Sequence, residues 1–254
     1  MEHDPTDTPQ VLHVSDAVWV RQAVDNMGWA DLGGSAVVVD ALEQRHLKDE
    51  VFAALDQTLG ATPVRYVLNT HTHGDHTALN RPLAKRYGAQ IVNARTADLG
   101  GDGRRFEGER GRTLLLPIPG CHTDEDCCVW VEPDAVLFVG DVFGWGLVGP
   151  NGALAPGQAE HILRTYERLI AFGAETVVPG HGPVCTTAEL RRWAQYFRWL
   201  IEQAKAGVAA GESDKDIRRR LPPPDDMRSW WRFLDWKHDD TVAKTLQAAR
   251  RGNL

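Results

Sequence analysis

The run Val67-Leu68-Asn69-Thr70-His71-Thr72-His73-Gly74-Asp75-His76 constrains this chain more than any other feature. An apolar strand ends there in four potential metal ligands within six residues. Alternate residues of an extended chain share a side, so His71 and His73 can converge on one ion where the strand ends. Asp75 and His76 follow Gly74, where a turn into the next helix aims them at a second point nearby. Imidazole nitrogen together with carboxylate oxygen suits zinc, iron or manganese.

Later residues extend the set. His122 follows Pro119-Gly120-Cys121, Asp141 closes Phe138-Val139-Gly140-Asp141, and His181 stands in Val178-Pro179-Gly180-His181-Gly182-Pro183. Isolated His-x-His pairs are common, whereas seven such positions in register along most of a chain are not. The pattern resembles the signature of the metallo-β-lactamase superfamily. That resemblance implies an αββα sandwich, two mixed β-sheets packed face to face with helices outside, followed by a helical C-terminal extension. The alternation of strands and helices suits this fold, although it equally allows a doubly wound α/β domain; the ligand order decides.

By the same resemblance His71, His73 and His122 hold one ion and Asp75, His76 and His181 the other, with Asp141 bridging. The implied cofactor is two zinc ions per chain, with iron or manganese as alternatives, and Asp75 and Asp141 are the candidate catalytic carboxylates. In the family the strand over 35–40 ends with an acidic residue that supports a ligand histidine, and Asp40 matches it. Zinc β-lactamases of the commonest type carry cysteine where Asp141 stands. The bridging aspartate together with Asp75 and His76 therefore resembles glyoxalase II, lactonases and other ester or thioester hydrolases. Around His122 the sequence reads His-Thr-Asp-Glu-Asp where His-Thr-Pro-Gly is commoner. The ligand survives that departure, but the substrate assignment is weakened.

The expected activity is attack by metal-bound hydroxide on a small ester, thioester, lactone or amide. A mononuclear iron persulfide dioxygenase and a metal-binding scaffold without turnover are the alternatives.

Bulk properties set limits. At 254 residues with 43% hydrophobic composition the chain can bury a core. No run of eighteen apolar residues is present, so no membrane span is expected. The formal charge of −7 argues against general nucleic-acid affinity. Residues 1–10 are polar, acidic and unlike a secretory signal, so a loose tail and a cytoplasmic location are expected. Four cysteines do not make a disulfide framework: Cys127 and Cys128 read as core, and Cys121 should point away from its neighbour His122.

Along the chain, residues 11–24 read as a hairpin, 28–34 as a glycine-rich loop, and 42–59 and 77–87 as helices. Residues 97–112 read as a loop, and 129–139 as a hairpin turning at Pro133. Thr186-x-x-Glu189 is a capping box opening a long helix. The expected divisions are therefore a tail over 1–10, a sandwich domain over 11–185 and a helical extension over 186–254 packed on it. The Phe143–Pro150 segment follows a ligand and is a candidate pocket wall. The Trp230–Trp236 segment is expected to pack on the main domain, with a cover for the site or a homodimer patch as alternatives.

Overall fold

Strands that are apolar at nearly every position need cover on both faces, and the chain supplies it with four layers. A computed structural model describes residues 4–150, 152–233 and 235–254. Met1–His3 of the expected tail and Leu234 of the tryptophan-rich segment lie outside the described residues. The first sheet takes its strands in chain order: β1 (Gln10–Ser15), β2 (Val18–Gln22), β3 (Met27–Asp31), β4 (Ala36–Val39), β5 (Val64–Leu68) and β6 (Gln90–Val92). Pairing is antiparallel as far as β4 and parallel from β4 to β6. The second sheet holds β7 (Arg104–Glu107), β8 (Arg112–Pro117), β9 (Cys127–Glu132), β10 (Val136–Gly140) and β11 (Thr176–Pro179). Its order is β11-β10-β9-β8-β7, with only β10 and β11 parallel.

The period of two sorts side chains between layers. Val37 and Val39 of β4 join Val129, Val131, Val136 and Phe138 in the core between the sheets. Val38 turns outward with Val67 to meet Val51 and Leu55 of α1 (Lys48–Leu59) and Leu83 of α2 (Asn80–Tyr87). On the opposite side Cys128, Leu137 and Val139 face α3 (Gln158–Ala171) and α4 (Thr187–Ala209). Helices therefore cover both outer faces of a two-sheet sandwich, as expected.

The capping box forms: Thr186 accepts from the first turn of α4, and Glu189 accepts from the Thr186 backbone N–H at 2.9 Å. Beyond α4 come α5 (Asp214–Arg219) and α6 (Asp235–Arg250). Val242 and Leu246 of α6 join Trp193 and Phe197 of α4 in one apolar cluster.

Four local readings change, the first being the helix expected over 42–59, which begins at Lys48 behind a 3₁₀ turn over Arg45–Leu47. Residues 27–31 form β3, taking in the first part of the 28–34 segment read as a loop, where Gly28 leaves room for Phe138 of the facing sheet; a Cβ there would lie 2.2 Å from that ring. Residues 104–107 form the edge strand β7 inside the expected 97–112 loop. The second helix begins at Asn80, since Gly74–His76 make a turn of 3₁₀ helix first.

Candidate metal centre

All seven predicted residues meet at one end of the sandwich. His71 and His73 follow the last residue of β5, Asp75 and His76 lie in the 3₁₀ turn, and Asp141 follows β10. His122 sits in the loop between β8 and β9, and His181 follows β11. Two groups of ligand atoms result, His71, His73, His122 and Asp141 in one and Asp75, His76, Asp141 and His181 in the other. Within each group the atoms lie within 4.8 Å of one another, and Asp141 belongs to both.

The surrounding hydrogen bonds fix which nitrogen faces inward. A carbonyl can only accept, so His122 Nδ1 donates to Gly149 O at 3.0 Å and His181 Nδ1 to Val24 O at 3.0 Å. His76 Nδ1 lies 3.0 Å from Asp40 Oδ2. Each Nε2 is left to the centre, the arrangement in which an outer partner sets the tautomer of a ligating histidine. Asp40 also accepts from Thr70 N and Thr70 Oγ1, both at 2.8 Å.

His122 Nε2 and His73 Nδ1 are 3.1 Å apart. Asp141 Oδ2 is 3.3 Å from His181 Nε2 and 3.5 Å from His122 Nε2. His76 Nε2 and Asp141 Oδ1 are 3.2 Å apart without the alignment of a hydrogen bond. Those two atoms and His71 Nε2 are thus buried and unpartnered, a costly state for polar groups. Convergent lone pairs this close repel unless a cation or proton lies among them, so the donor set fits divalent metal.

Charges in the metal-free site follow that logic. Burial works against the proton on His76, but the charges of Asp40 and Asp141 outweigh it and hold its pKa well above the ordinary value. Desolvation likewise lowers His181, yet the Asp141 and Asp75 carboxylates lift it to about 10. His71 drops to about 4, through desolvation first and the neighbouring His76 second. The hydrogen bond from His181 draws Asp75 down to about 2. Asp141 stays well below the carboxylate range because its imidazole neighbours overcome the effect of burial. Protons stand where cations can replace them.

The unusual acidic run after His122 also acquires a role. Asp126, buried, accepts from the backbone N–H of Cys121, His122 and Thr123 at 3.1, 2.7 and 2.9 Å. It thereby shapes the loop that presents His122. Glu125 accepts from Thr72, between the two histidines of the first run. Spacing alone did not single out either carboxylate. All four cysteines are buried and unbridged, and Cys121 packs into the apolar cluster beneath its neighbour.

The Phe143–Pro150 segment does line a cavity beside the centre, through Gly144, Trp145, Leu147 and Gly149. Residues 97–112 do not contribute to it. From the C-terminal extension Trp231, Arg232 and Trp236, in the segment for which a cover of the site was the alternative reading, close the far side together with Lys237, which sequence reasoning did not single out. Trp230 packs edge-on against Trp145 at 5.6 Å, while Trp236 remains 54% exposed.

A four-layer sandwich with a His/Asp ligand cluster at the sheet ends is the framework of one class of metal-binding proteins. The sequence profile of the metallo-beta-lactamase superfamily matches residues 23–113 and 98–181, and the chain belongs to that superfamily. It is 38% identical over 122 residues to a hydroxyacylglutathione hydrolase of Methylococcus capsulatus, covering 44% of this chain and 46% of the relative. To the protein of that name from Rhizobium meliloti it is 29% identical over 156 residues, covering 58% and 57%. The chain thus spans about half the length of these curated relatives. Among solved structures, the inverting sec-alkylsulfatase Pisa1 from Pseudomonas sp. shares the fold with a TM-score of 0.74 at 11% identity, over 95% of this chain and 50% of that one. A metallo-beta-lactamase of Cronobacter sakazakii superposes with a TM-score of 0.62 at 16% identity, over 80% and 96%.

Proposed function

We propose that the protein is a metal-dependent hydrolase of small esters, thioesters, lactones or amides. In this reading His71, His73 and His122 hold one zinc ion, Asp75, His76 and His181 a second, and Asp141 serves both. The observation that carries it is the convergence of three buried, unpartnered ligand atoms, on His71, His76 and Asp141, where the two groups share the Asp141 carboxylate. Divalent zinc supplies Lewis acidity and brings the pKa of water to about 7. The similarity to hydroxyacylglutathione hydrolases supports hydrolysis and a thioester among the candidate substrates.

The chain's own residues supply placement. Asp75 is about one-third exposed and lies 3.3 Å from His181, at the open side of the centre. In this reading its carboxylate accepts a hydrogen bond from the attacking water and orients it. Asp40, Gly149 O and Val24 O hold three imidazoles in fixed tautomers, so the site needs little reorganisation when substrate arrives. Trp145 and Leu147 lend an apolar wall that displaces bulk water from the reacting group.

Metal analysis of purified protein should find close to two ions per chain, and a panel of esters, thioesters, lactones and amides should include a substrate whose hydrolysis stops on chelation. Hydrolysis that persists after thorough chelation would falsify the reading. Oxygen uptake with a persulfide, with iron as the bound metal, would replace it by the dioxygenase alternative.

A further inference from the structure

The cavity beside the centre encloses about 400 Å³, within the range of small-molecule pockets. One side reaches the ligands His122, Asp141 and His181. The rest is built from indoles and an aliphatic chain, Trp145, Leu147, Trp231 and Trp236, with two cations, Lys237 and Arg232. Lys237 is 7% exposed, and its ammonium donates to Gly144 O at 3.3 Å and lies 5.4 Å from the Trp231 ring. Among the described residues no carboxylate pairs with it. A buried ammonium has three protons to place and a large desolvation cost to offset. One carbonyl and the face of an indole do not complete it. Desolvation, and then the neighbouring Arg232, push the Lys237 pKa down to about 8, as expected for a cation that lacks its anion.

The wall carrying these cations is held in place. Trp231 Nε1 donates to Asp4 Oδ1 at 3.0 Å, and Arg232 Nε lies 3.3 Å from Asp4 Oδ2. Trp231 also lies over Gly182, where a Cβ would come within 2.5 Å of the indole. Trp145 and Arg232 both adopt left-handed backbone conformations, with φ of +51° and +46°. Such strain in bulky residues persists only where the surroundings impose it, and it concentrates at ligand clamps. Here both strained residues line the same cavity.

The chemistry of the lining restricts what can fill it. An anion satisfies Lys237, and an apolar body fits the indoles. A peptide-like body would bury amide groups against rings that offer few partners. Among the described residues the one carboxylate lining the cavity is Asp141, already committed to the centre, whereas Asp4 behind the wall is taken up by Trp231 and Arg232, so the lining favours an anion over a substrate ammonium.

We propose that this cavity selects esters or thioesters bearing one anionic group on a compact, non-peptide apolar body. The anion sits against Lys237 and Arg232, and the body lies between Trp145, Trp231 and Trp236. The turnover part of this inference rests on the hydrolase reading; the binding part does not.

Two measurements on the metal-loaded full chain separate them. The first compares kcat/KM for the monophenyl ester of glutaric acid, its neutral methyl-capped counterpart and an S-acylglutathione. The acid should exceed the neutral ester by about tenfold or more, mainly through KM, the worth of one charge-assisted hydrogen bond. It should also exceed the glutathione thioester. The acid-to-neutral ratio should fall towards one in Lys237→Met and Lys237→Gln, and by a smaller factor in the exposed-site variant Arg232→Gln. An unchanged ratio in the Lys237 variants, equal turnover of acid and neutral ester, or preference for the glutathione thioester overturns the proposal.

The second measurement titrates 4-phenylbutyrate and 4-phenylbutanamide by tryptophan fluorescence. About tenfold tighter binding of the acid, lost in Lys237→Met, supports the pocket even if no ester is hydrolysed, a result that would sink the hydrolase reading alone. Equal binding, or acid binding that survives Lys237→Met, overturns the pocket whatever the turnover.

Discussion

Asp40 has a backbone φ of +60°, a conformation that non-glycine residues adopt only when held there, and its carboxylate takes three hydrogen-bonding partners from the ligand loop. Replacing it with asparagine preserves shape but lets an amide N–H face His76 Nδ1. The ring would then accept at Nδ1 and carry its proton on Nε2, the nitrogen the centre needs bare. Asp40→Asn should therefore weaken metal binding by roughly 10–100-fold with the far-UV spectrum unchanged, as competition with a chromophoric chelator would show. Protons give a second prediction. His181 is lifted to about 10 and His76 is raised from its ordinary value by Asp40 and Asp141 against its burial, so metal uptake at pH 7 should release at least one proton, read by calorimetry in buffers of different ionisation enthalpy. In metal-free protein the stabilisation from His181 is fully present below 6.5 and is lost as pH rises through about 10. That from Asp75 is present above 3.8 and lost as pH falls through about 2. The metal-free melting temperature should fall above pH 7, and bound metal should remove that decline. A melting temperature flat from pH 6 to 10 would contradict this. The seven candidate ligands were legible in the sequence because their chemistry is rare at that spacing, and they converge in the fold. Lys237 and Arg232 were not, because a basic residue acquires its meaning only when the fold surrounds it with indoles.

At the scale of elements, legibility depended on whether a local signal agreed with its tertiary setting. The apolar strand leading to His71 and the α4 capping box carry such signals, and both form, the strand ending at Leu68, short of the histidines. Strand β3 was hidden because Gly28 reads as a loop residue, while its actual reason is the Phe138 ring that occupies the missing side chain's place. The turn after β11 offers the sharper test of this kind of reasoning. Gly180 does not have positive φ, so alanine meets no backbone penalty there. Its Cβ, however, would lie 2.0 Å from Asp141 Oδ1 and 2.8 Å from His76 Cε1. Gly180→Ala should displace two ligands at once, and elemental analysis should show metal content falling well below the wild-type value while circular dichroism shows the sandwich intact. Full metal occupancy in this variant would mean that the turn has slack the packing does not reveal.

At the scale of the whole molecule, the boundary expected after residue 185 separates a ligand-bearing part from a helical part, but packing crosses it. Leu190, Trp193, Phe197 and Leu200 of α4 are essentially fully buried and belong to the cluster that includes Leu137, Val139 and Val177 of the second sheet. Tyr166 of α3 closes that cluster with its ring 6.3 Å from Trp193. Each large side chain removed from water contributes roughly 1.5–3 kcal/mol, so those four residues of α4 alone are worth about as much as the net stability of a typical domain, about 5–15 kcal/mol. Cutting the chain after Cys185 would also expose the strand and helix surfaces that had covered them. Every predicted ligand would remain, yet we expect the product to be insoluble, or to keep its far-UV signal while losing near-UV ellipticity and binding a hydrophobic dye. The alternative is a helical part that merely decorates an independent sandwich. In that case the 1–185 chain would be soluble, unfold cooperatively and take up metal, losing only the wall formed by Trp231, Arg232, Trp236 and Lys237. Denaturation followed by tryptophan fluorescence, together with metal analysis of the shortened chain, decides between a completed core and an appended cover.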